Sequence, residues 1–433
     1  MNTNGLKLPQ AKREAAVKNI LMILCMAACL ATQAWADPSW KASLAVSEEY
    51  TDNAEEERGG HTDFVTSLIP SLGYRYEGGR ALLESSYKGV WKHYARGTED
   101  QEFDHDLNVH GLLDAWRSFL FLDVKDTYSL VNEDATRGER LEEDSGDDLV
   151  QRNRFTFSPF IAPRFGDRTE TKLGYRYTNI WYDDDEYEKK STHTGFVDVV
   201  HELTPTTSLL SGYSSTWEMS DEDGDLNRHI AYVGASYEYG EGSRVYAKVG
   251  PQYTRYSDNE ESSTSLFWDA GWTHDFGSVL LDVTTGVTFE DDPETGQTYD
   301  RQYLTTRLTK EFQRTVVSAF VTLEDYEEQG DGYSKSRRKT EYSIDSGRRT
   351  YAGFSVRHEL TSRLTGTVNA AYDLNDESSE DVKRWHAGIV FKYALAEDLD
   401  AELWYRYKDV SGDEDEEDNY TANRIGMLVR KTF

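Results

Sequence analysis

The sequence predicts an all-β fold: a transmembrane, antiparallel, up-and-down β-barrel of about twenty strands, with about eighteen as the fallback count. Three observations predict it. From Trp40 to Phe433 the chain repeats segments of about ten residues that alternate in polarity. The connections between them alternate short and long, and aromatic residues collect at both ends of the apolar faces.

Alternation is the strongest of the three, because a barrel wall must show apolar side chains to lipid and polar ones to its interior at a period of two. From Thr169 to Trp181, Leu173, Tyr175, Tyr177 and Trp181 share one face while Glu170, Lys172, Arg176 and Thr178 share the other; Asn179 and Ile180 blur the split. From Leu399 to Lys408, Leu399, Ala401, Leu403, Tyr405 and Tyr407 oppose Asp400, Glu402, Trp404, Arg406 and Lys408, with Trp404 the residue out of place. From Ser243 to Tyr253, Val245, Ala247, Val249, Pro251 and Tyr253 oppose Arg244, Tyr246, Lys248, Gly250 and Gln252. Strands are expected to start near Trp40, Thr62, Arg80, Asp104, Ser118, Gln151, Thr169, Ser191, Ser208, Arg228, Ser243, Thr264, Ser278, Tyr299, Thr315, Arg349, Leu364, Val382, Leu399 and Asn419. Pro70, Pro159 and Pro251 fall inside these strands, where each removes a ladder donor, so bulges are expected there.

The short connections, such as Glu77–Arg80, Phe165–Arg168, Thr204–Thr206, Gly240–Gly242, Phe276–Gly277 and Ala396–Asp398, read as hairpin turns. The long ones are acidic and include Thr51–Gly60, Ala95–Gln101, Val131–Val150, Asp183–Lys190, Ser220–Asp225, Ser257–Ser263, Glu327–Arg348 and Asp409–Asp418. Short periplasmic turns on one rim and long extracellular loops on the other are the expected asymmetry, and an even strand number returns both termini to the periplasm. Tyr74, Tyr76, Tyr237, Tyr239, Trp272, Phe312, Phe391 and Tyr393 adjoin the short turns; Trp91, Trp181, Trp217, Tyr253, Phe289, Tyr372 and Tyr407 adjoin the long loops. Two aromatic belts suit the two membrane interfaces. A soluble β-sandwich or propeller also alternates, but it predicts neither the alternating turn lengths nor two belts.

Residues 1–36 read as a signal peptide. Lys7, Lys12, Arg13 and Lys18 form a basic leader, Ile20 to Leu30 an apolar stretch, and Ala34-Trp35-Ala36 a cleavage site. Residues 37–433 then form a single outer-membrane β-barrel domain. Lipidation at Cys29 after Met26-Ala27-Ala28 is the rival reading. Both cysteines, Cys25 and Cys29, lie in the leader, so the exported chain builds no disulfide, thiol nucleophile or thiolate metal site.

Hydrophobic residues make up 37% of the 433, aromatics 13%, and the mean hydropathy is −0.72. Recurrent aromatic and β-branched residues argue against disorder, and the sequence after the leader offers no apolar run long enough for a transmembrane helix. A membrane location therefore requires a closed barrel. Without the leader's four basic residues and Glu14, 43 basic and 78 acidic side chains remain, a net charge of −35. Such a surface excludes a nucleic-acid partner.

Two local stretches carry a family resemblance. Glu48-Glu49-Tyr50-Thr51-Asp52-Asn53, followed by Asp63-Phe64-Val65-Thr66 and Pro70 to Arg80, resembles the opening of outer-membrane barrels encoded with exopolysaccharide and exosortase (PEP-CTERM) systems. The closing Ile425, Met427, Val429 and Phe433 resembles the C-terminal strand that barrel-assembly machinery recognises, with Lys431 standing where a hydrophobic residue is usual. The resemblance implies a role near polysaccharide export or envelope architecture, with polysaccharide or periplasmic export components as partners, and no catalytic residues.

The residues themselves point to a passive, porin-like conduit and not to an enzyme. The ten histidines are scattered without metal-ligand spacing, and no G-x-S-x-G elbow is present. No cofactor is expected. Asp221-Glu222-Asp223-Gly224-Asp225 and Asp183-Asp184-Asp185-Glu186 hold enough carboxylates for Ca²⁺ but lack the full loop spacing, so solvated loops, or cation bridges to lipopolysaccharide, are the readings. Register assigns Lys172, Arg176, Lys248, Arg307, Arg357, Lys392, Arg406, Arg424, Asp400 and Tyr351 to the lumen. Such a wall is either a charge-selective pore or a set of neutralised ion pairs that keeps the interior wet. Inward Tyr232, Tyr246, Tyr303, Tyr351 and Trp404 are either sugar-stacking platforms or filler. A lumen of this width is expected to hold water, with no N-terminal plug. The alternatives in other classes are a scaffold or sheath for a secretion or cytochrome complex, and a lipid-modifying outer-membrane enzyme.

Overall fold

The computed structural model describes residues 39–138, 140, 149–184, 187–220, 225–256, 262–293, 298–328, 346–377, 381–412 and 419–433. The leader, its cleavage site, both cysteines, Asp185, Glu186 and residues 221–224 lie outside them. The described chain forms twenty strands. These are β1 (Ser39–Thr51), β2 (Asp63–Gly78), β3 (Ala81–Tyr94), β4 (Glu102–Trp116), β5 (Leu120–Asn132), β6 (Leu149–Ile161) and β7 (Thr169–Tyr182). They continue as β8 (Lys190–Thr204), β9 (Thr207–Ser220), β10 (Leu226–Gly240), β11 (Ser243–Tyr256), β12 (Ser262–Asp275), β13 (Val279–Asp291) and β14 (Thr298–Glu311). The last six are β15 (Thr315–Glu328), β16 (Ser346–Glu359), β17 (Leu364–Glu377), β18 (Asp381–Ala396), β19 (Leu399–Gly412) and β20 (Tyr420–Thr432). Every start expected from the sequence falls within three residues of the observed one.

Each strand pairs antiparallel with its sequence neighbours, and β1 closes onto β20 from Ser43↔Thr432 to Thr51↔Arg424. Closure leaves no free edge along that seam, which is what an up-and-down barrel achieves. Short turns alternate with longer connections as the spacing predicts, except that seven residues join β6 to β7 and three join β17 to β18. Gly242 and Gly277 take φ of +67° and +88°, a left-handed conformation that only glycine adopts without a Cβ clash. Asp275 accepts the Gly277 N–H at 2.6 Å and fixes that turn.

The period of two sorts the wall. Leu173, Tyr213, Val233, Val249, Leu308, Phe354, Leu403 and Met427 point outward and are exposed, forming the apolar band. Three local readings change. The prolines produce no bulge: β10 and β11 pair as Ile230↔Gln252 and again as Val233↔Val249 without a change of register, and the ladders near Pro70 and Pro159 likewise resume in register. A missing N–H interrupts pairing locally but adds no residue, so nothing forces a shift; the shifts sit beside short turns, at Asp114/Trp116, Glu202/Thr204, Glu238/Gly240 and Ala394/Ala396. Ile180 is no irregularity, because it faces inward and is buried with Val150, Tyr182 and Tyr187. Phe289 does not join an outer belt: its ring lies 3.5 Å from the Arg228 guanidinium of the inward face of β10.

Candidate functional site

The lumen is the candidate site, and its two ends differ. Toward the short turns its wall carries charged and aromatic side chains such as Lys172, Arg307, Phe320 and Lys392. The ten sequence candidates lie on the parity opposite the exposed apolar residues of their strands. They do not converge on one point but spread around β7, β11, β14, β16, β18, β19 and β20. Lys248 donates to Asp269 at 2.7 Å, and Lys392 bridges Asp400 and Glu402, each at 3.1 Å. Arg424 reaches Glu56 at 2.6 Å and Glu49 at 3.7 Å. Lys172, Arg176, Arg307 and Arg406 lie over the rings of Phe160, Phe196, Phe320 and Trp404 at 5.6, 5.3, 5.7 and 4.6 Å. Tyr351 packs on Phe320, centroids 4.9 Å apart, and Arg357 stands between Val316 and Thr367 in register. Fixed charge is therefore interleaved with aromatic surface around the wall.

Six of the inward aromatics share a seat that composition did not reveal. Tyr232 stands opposite Gly212, Tyr246 opposite Gly271, Phe196 opposite Gly174, Phe320 opposite Gly353, Tyr303 opposite Gly286 and Trp404 opposite Gly426. In each pair the ring covers the glycine, so that an added Cβ would come within 2.5 Å of the ring at Gly212, Gly271 and Gly174 and within 3.0 Å at Gly353. A large ring over a bare backbone restores the cross-strand packing that glycine lacks. That explains Trp404: it faces inward because Gly426 leaves it a seat. Tyr232 then donates to Asp198 at 2.6 Å and Tyr246 to Asp269 at 3.0 Å.

The end toward the long connections is filled instead. Side chains of distant strands meet across it, inward ones from β8 and β9 against the outward parity of β13 and β14: Lys190 of β8 reaches Asp291 of β13 at 3.3 Å and Thr298 of β14 at 2.8 Å, and Thr298 donates to Glu218 of β9 at 2.7 Å. Gln252 of β11 donates to Asp300 of β14 at 2.9 Å. Arg349 makes a bidentate pair with Asp373 at 2.8 and 3.1 Å and touches Glu324 at 3.2 Å. Such buried charges persist only when paired and hydrogen-bonded.

Two connections fold into this end. After β5, Asp134 caps a 3-10 turn at Ala135–Arg137 by accepting the Thr136 N–H at 2.8 Å. The turn is held by Asp292, which accepts the Ala135 N–H at 2.8 Å, and by Asn375, which donates to Thr136 at 3.1 Å. Gly138, at φ +70°, passes where a Cβ would strike the Arg349 guanidinium. After β1, Glu56 accepts from Lys408 at 2.9 Å, Arg424 at 2.6 Å and the Tyr420 hydroxyl at 3.4 Å. Beneath it, a cavity of about 620 Å³ is lined by Glu49, Lys92, Tyr94, Trp404, Arg406 and Arg424, among others. The lumen is therefore narrowed toward the long connections, where the sequence suggested water throughout.

Sequence reasoning missed Glu56, Asp134 and the Lys190 cluster, since no motif distinguishes an inward loop carboxylate from a solvated one. Histidine offered no signal either. His105, His193 and His229 lie on the outward face, where His105 and His229 meet Tyr87 and Tyr213 at 3.0 and 2.9 Å and His193 meets Tyr175. Among the described residues no group of three His, Cys, Asp or Glu is placed to hold a metal ion.

No protein-family model matches the chain, and no curated protein does. Solved structures do. The FrpB iron transporter of Neisseria meningitidis (F5-1 variant) superposes with a TM-score of 0.54 at 8% identity, over 92% of this chain and 83% of that one. Its apoprotein form gives 0.53 at 9%, over 91% and 81%. The Pseudomonas aeruginosa protein OpdQ gives 0.40 at 10%, over 92% and 99%. At these identities the likeness concerns the fold.

Proposed function

We propose that the chain is an outer-membrane barrel that conducts polar solutes passively, with its short turns in the periplasm and its long acidic connections outside the cell, and that it serves exopolysaccharide export. The carrying observation is a closed twenty-strand barrel with an apolar outer band and a charge-paired lumen. Apolar residues on the outside of a closed sheet are costly in water and favoured in lipid. An interior whose cations face carboxylates or rings excludes no charge class strongly, which suits neutral or mildly anionic chains. Rings seated over glycines leave aromatic surface along the wall for such chains to pass. Passage requires the narrowed mouth to open, so conduction is gated by the loops that fill it. Outer-membrane lipid and lipopolysaccharide are the surroundings this reading gives the wall, and the strand ending in Phe433 is offered to the assembly machinery.

Planar-bilayer recording of the refolded protein tests the reading. Stepwise conductance is expected, together with entry of neutral oligosaccharides into proteoliposomes faster than into empty ones. An electrically silent protein whose liposomes exclude sugars would sink it. The narrowed mouth favours one other reading, a closed scaffold for a periplasmic or secretion complex, which silence combined with a stoichiometric copurifying partner would support.

A further inference from the structure

One seam of the wall is incomplete. β12 pairs with β13 only from Asp269↔Gly286 to Asp275↔Leu280, whereas β11 and β12 pair from Arg244↔Thr273 to Arg255↔Ser262 and β13 pairs with β14 along its whole length. Above Asp269 the two strands part. Ser262, Ser263, Thr264, Ser265 and Leu266 are exposed on both faces, which a strand sealed into a wall is not. The upper end of β13 and β14 goes the other way, into the barrel. Its nominally outward residues Val287, Phe289, Asp291, Thr298 and Asp300 are packed or half-buried, and they meet the inward faces of β8 to β11 through Lys190, Glu218, Arg228 and Gln252. The edge of β13 is thus tucked inside the barrel while the edge of β12 stays outside, and among the described residues no strand follows β12 above Asp269 on that side.

The height of this slot matters. Six residues at about 3.3 Å each, tilted by about 40°, place Asp269 roughly 15 Å above the short-turn rim, so the upper part of an apolar band about 25 Å tall is unzipped. Unpaired backbone groups facing hydrocarbon cost several kcal/mol each, and irregular backbone at membrane depth is tolerated only where it lines a polar cavity. The slot is therefore a way into the lumen. Its lining is graded: four hydroxyl residues, Ser262 to Ser265, at the top, then Leu266, Phe267 and Trp268 below. Phe267 faces inward beside Tyr232, centroids 6.2 Å apart, next to the seated rings of Tyr246 and Tyr303.

We propose that the gap between β12 and β13 is a lateral portal through which an amphipathic molecule bearing an acyl chain passes between the membrane and the lumen. Its polar head follows the serine edge near the interface and its chain follows Leu266 and Phe267 to the aromatic wall. The portal rests on the membrane placement proposed above, and its test separates the two. Single cysteines are placed in a chain lacking Cys25 and Cys29, at Phe267→Cys, at Trp268→Cys facing outward, and at Tyr351→Cys facing inward on a sealed part of the wall. Each is labelled with bimane, folded into phosphatidylcholine vesicles and exposed to spin-labelled stearate. The label at 267 is expected to be quenched at least half as strongly as that at 268 and several-fold more than that at 351. Equal quenching at 267 and 351, with 268 quenched, overturns the portal and leaves the membrane barrel standing; no quenching at 268 overturns both. A second measurement needs no ligand. If the strands zipped further in the same register, Ser265 would face Glu290, so the Ser265→Cys, Glu290→Cys pair is expected to resist disulfide formation under mild oxidation, and rapid, complete bridging overturns the slot.

Discussion

Glu56→Gln is the most informative single change, because one carboxylate holds the connection after β1 inside the barrel. Its side chain is 3% exposed and accepts from Lys408, Arg424 and Tyr420. Removing one partner of a buried pair costs about 3–5 kcal/mol. Here Arg424 keeps Glu49 at 3.7 Å and the amide keeps one acceptor, so about 2–3 kcal/mol is expected. The loss falls on the loop and not on the barrel, since β1 remains paired to both β2 and β20. At about 1.4 kcal/mol per factor of ten, the open population of the loop rises roughly 30- to 140-fold. Hydrogen exchange reads this directly: the Ala54 amide, bonded to the His61 carbonyl at 2.9 Å, and the Asp52 amide, bonded to Asn423 at 3.1 Å, should exchange faster by that factor. Amides of the β1–β20 ladder should not change, and bilayer recordings should show a larger open fraction. Unchanged exchange at Ala54, or equal acceleration along the ladder, would refute the latch.

Three further outcomes follow from the same geometry. Lys190→Met leaves Asp291 and Glu218 without their shared cation, with Arg154 still 4.0 Å from Asp291; about 3 kcal/mol of local stability is lost, seen as faster exchange at Thr298 to Asp300 with little change in the global unfolding midpoint. Gly212→Val unseats the Tyr232 ring and its bond to Asp198, lowering stability by about 1–3 kcal/mol in urea titration, whereas Gly195→Val, which meets open space, should be near neutral. In the turn before β19, the Lys431 ammonium beside Asp398 holds that carboxyl below its ordinary value. A depressed carboxyl stabilises the fold above its ordinary pKa of about 4 and loses that contribution as pH falls through the lower value, so fraying of the β20 end should increase in acid for the natural chain and be pH-independent in Asp398→Asn.

Much of the fold is written locally. The strand starts, the alternation of turn lengths and the sorting of outward from inward residues follow from a period of two and from turn chemistry, both of which act over a few residues. That is why Lys172, Lys248, Lys392, Arg406 and their neighbours could be put on one face from the sequence. Lys431, odd for a closing strand, finds its explanation in Asp398, which the register of β19 against β20 sets beside it.

What the sequence by itself determined is the wall: which residues form strands, and which side of each strand meets which surroundings. Only the tertiary structure decided what fills the wall, because the contacts concerned join residues far apart in the chain, such as Thr136 to Asn375, Glu56 to Arg424 and Lys190 to Thr298. A carboxylate in an acidic loop looks the same whether it ends in solvent or between two buried cations. Closure of the barrel brings those cations to it, and the curl of β13 into the lumen, which opens the seam beside β12, depends on the same long-range pairing of charge.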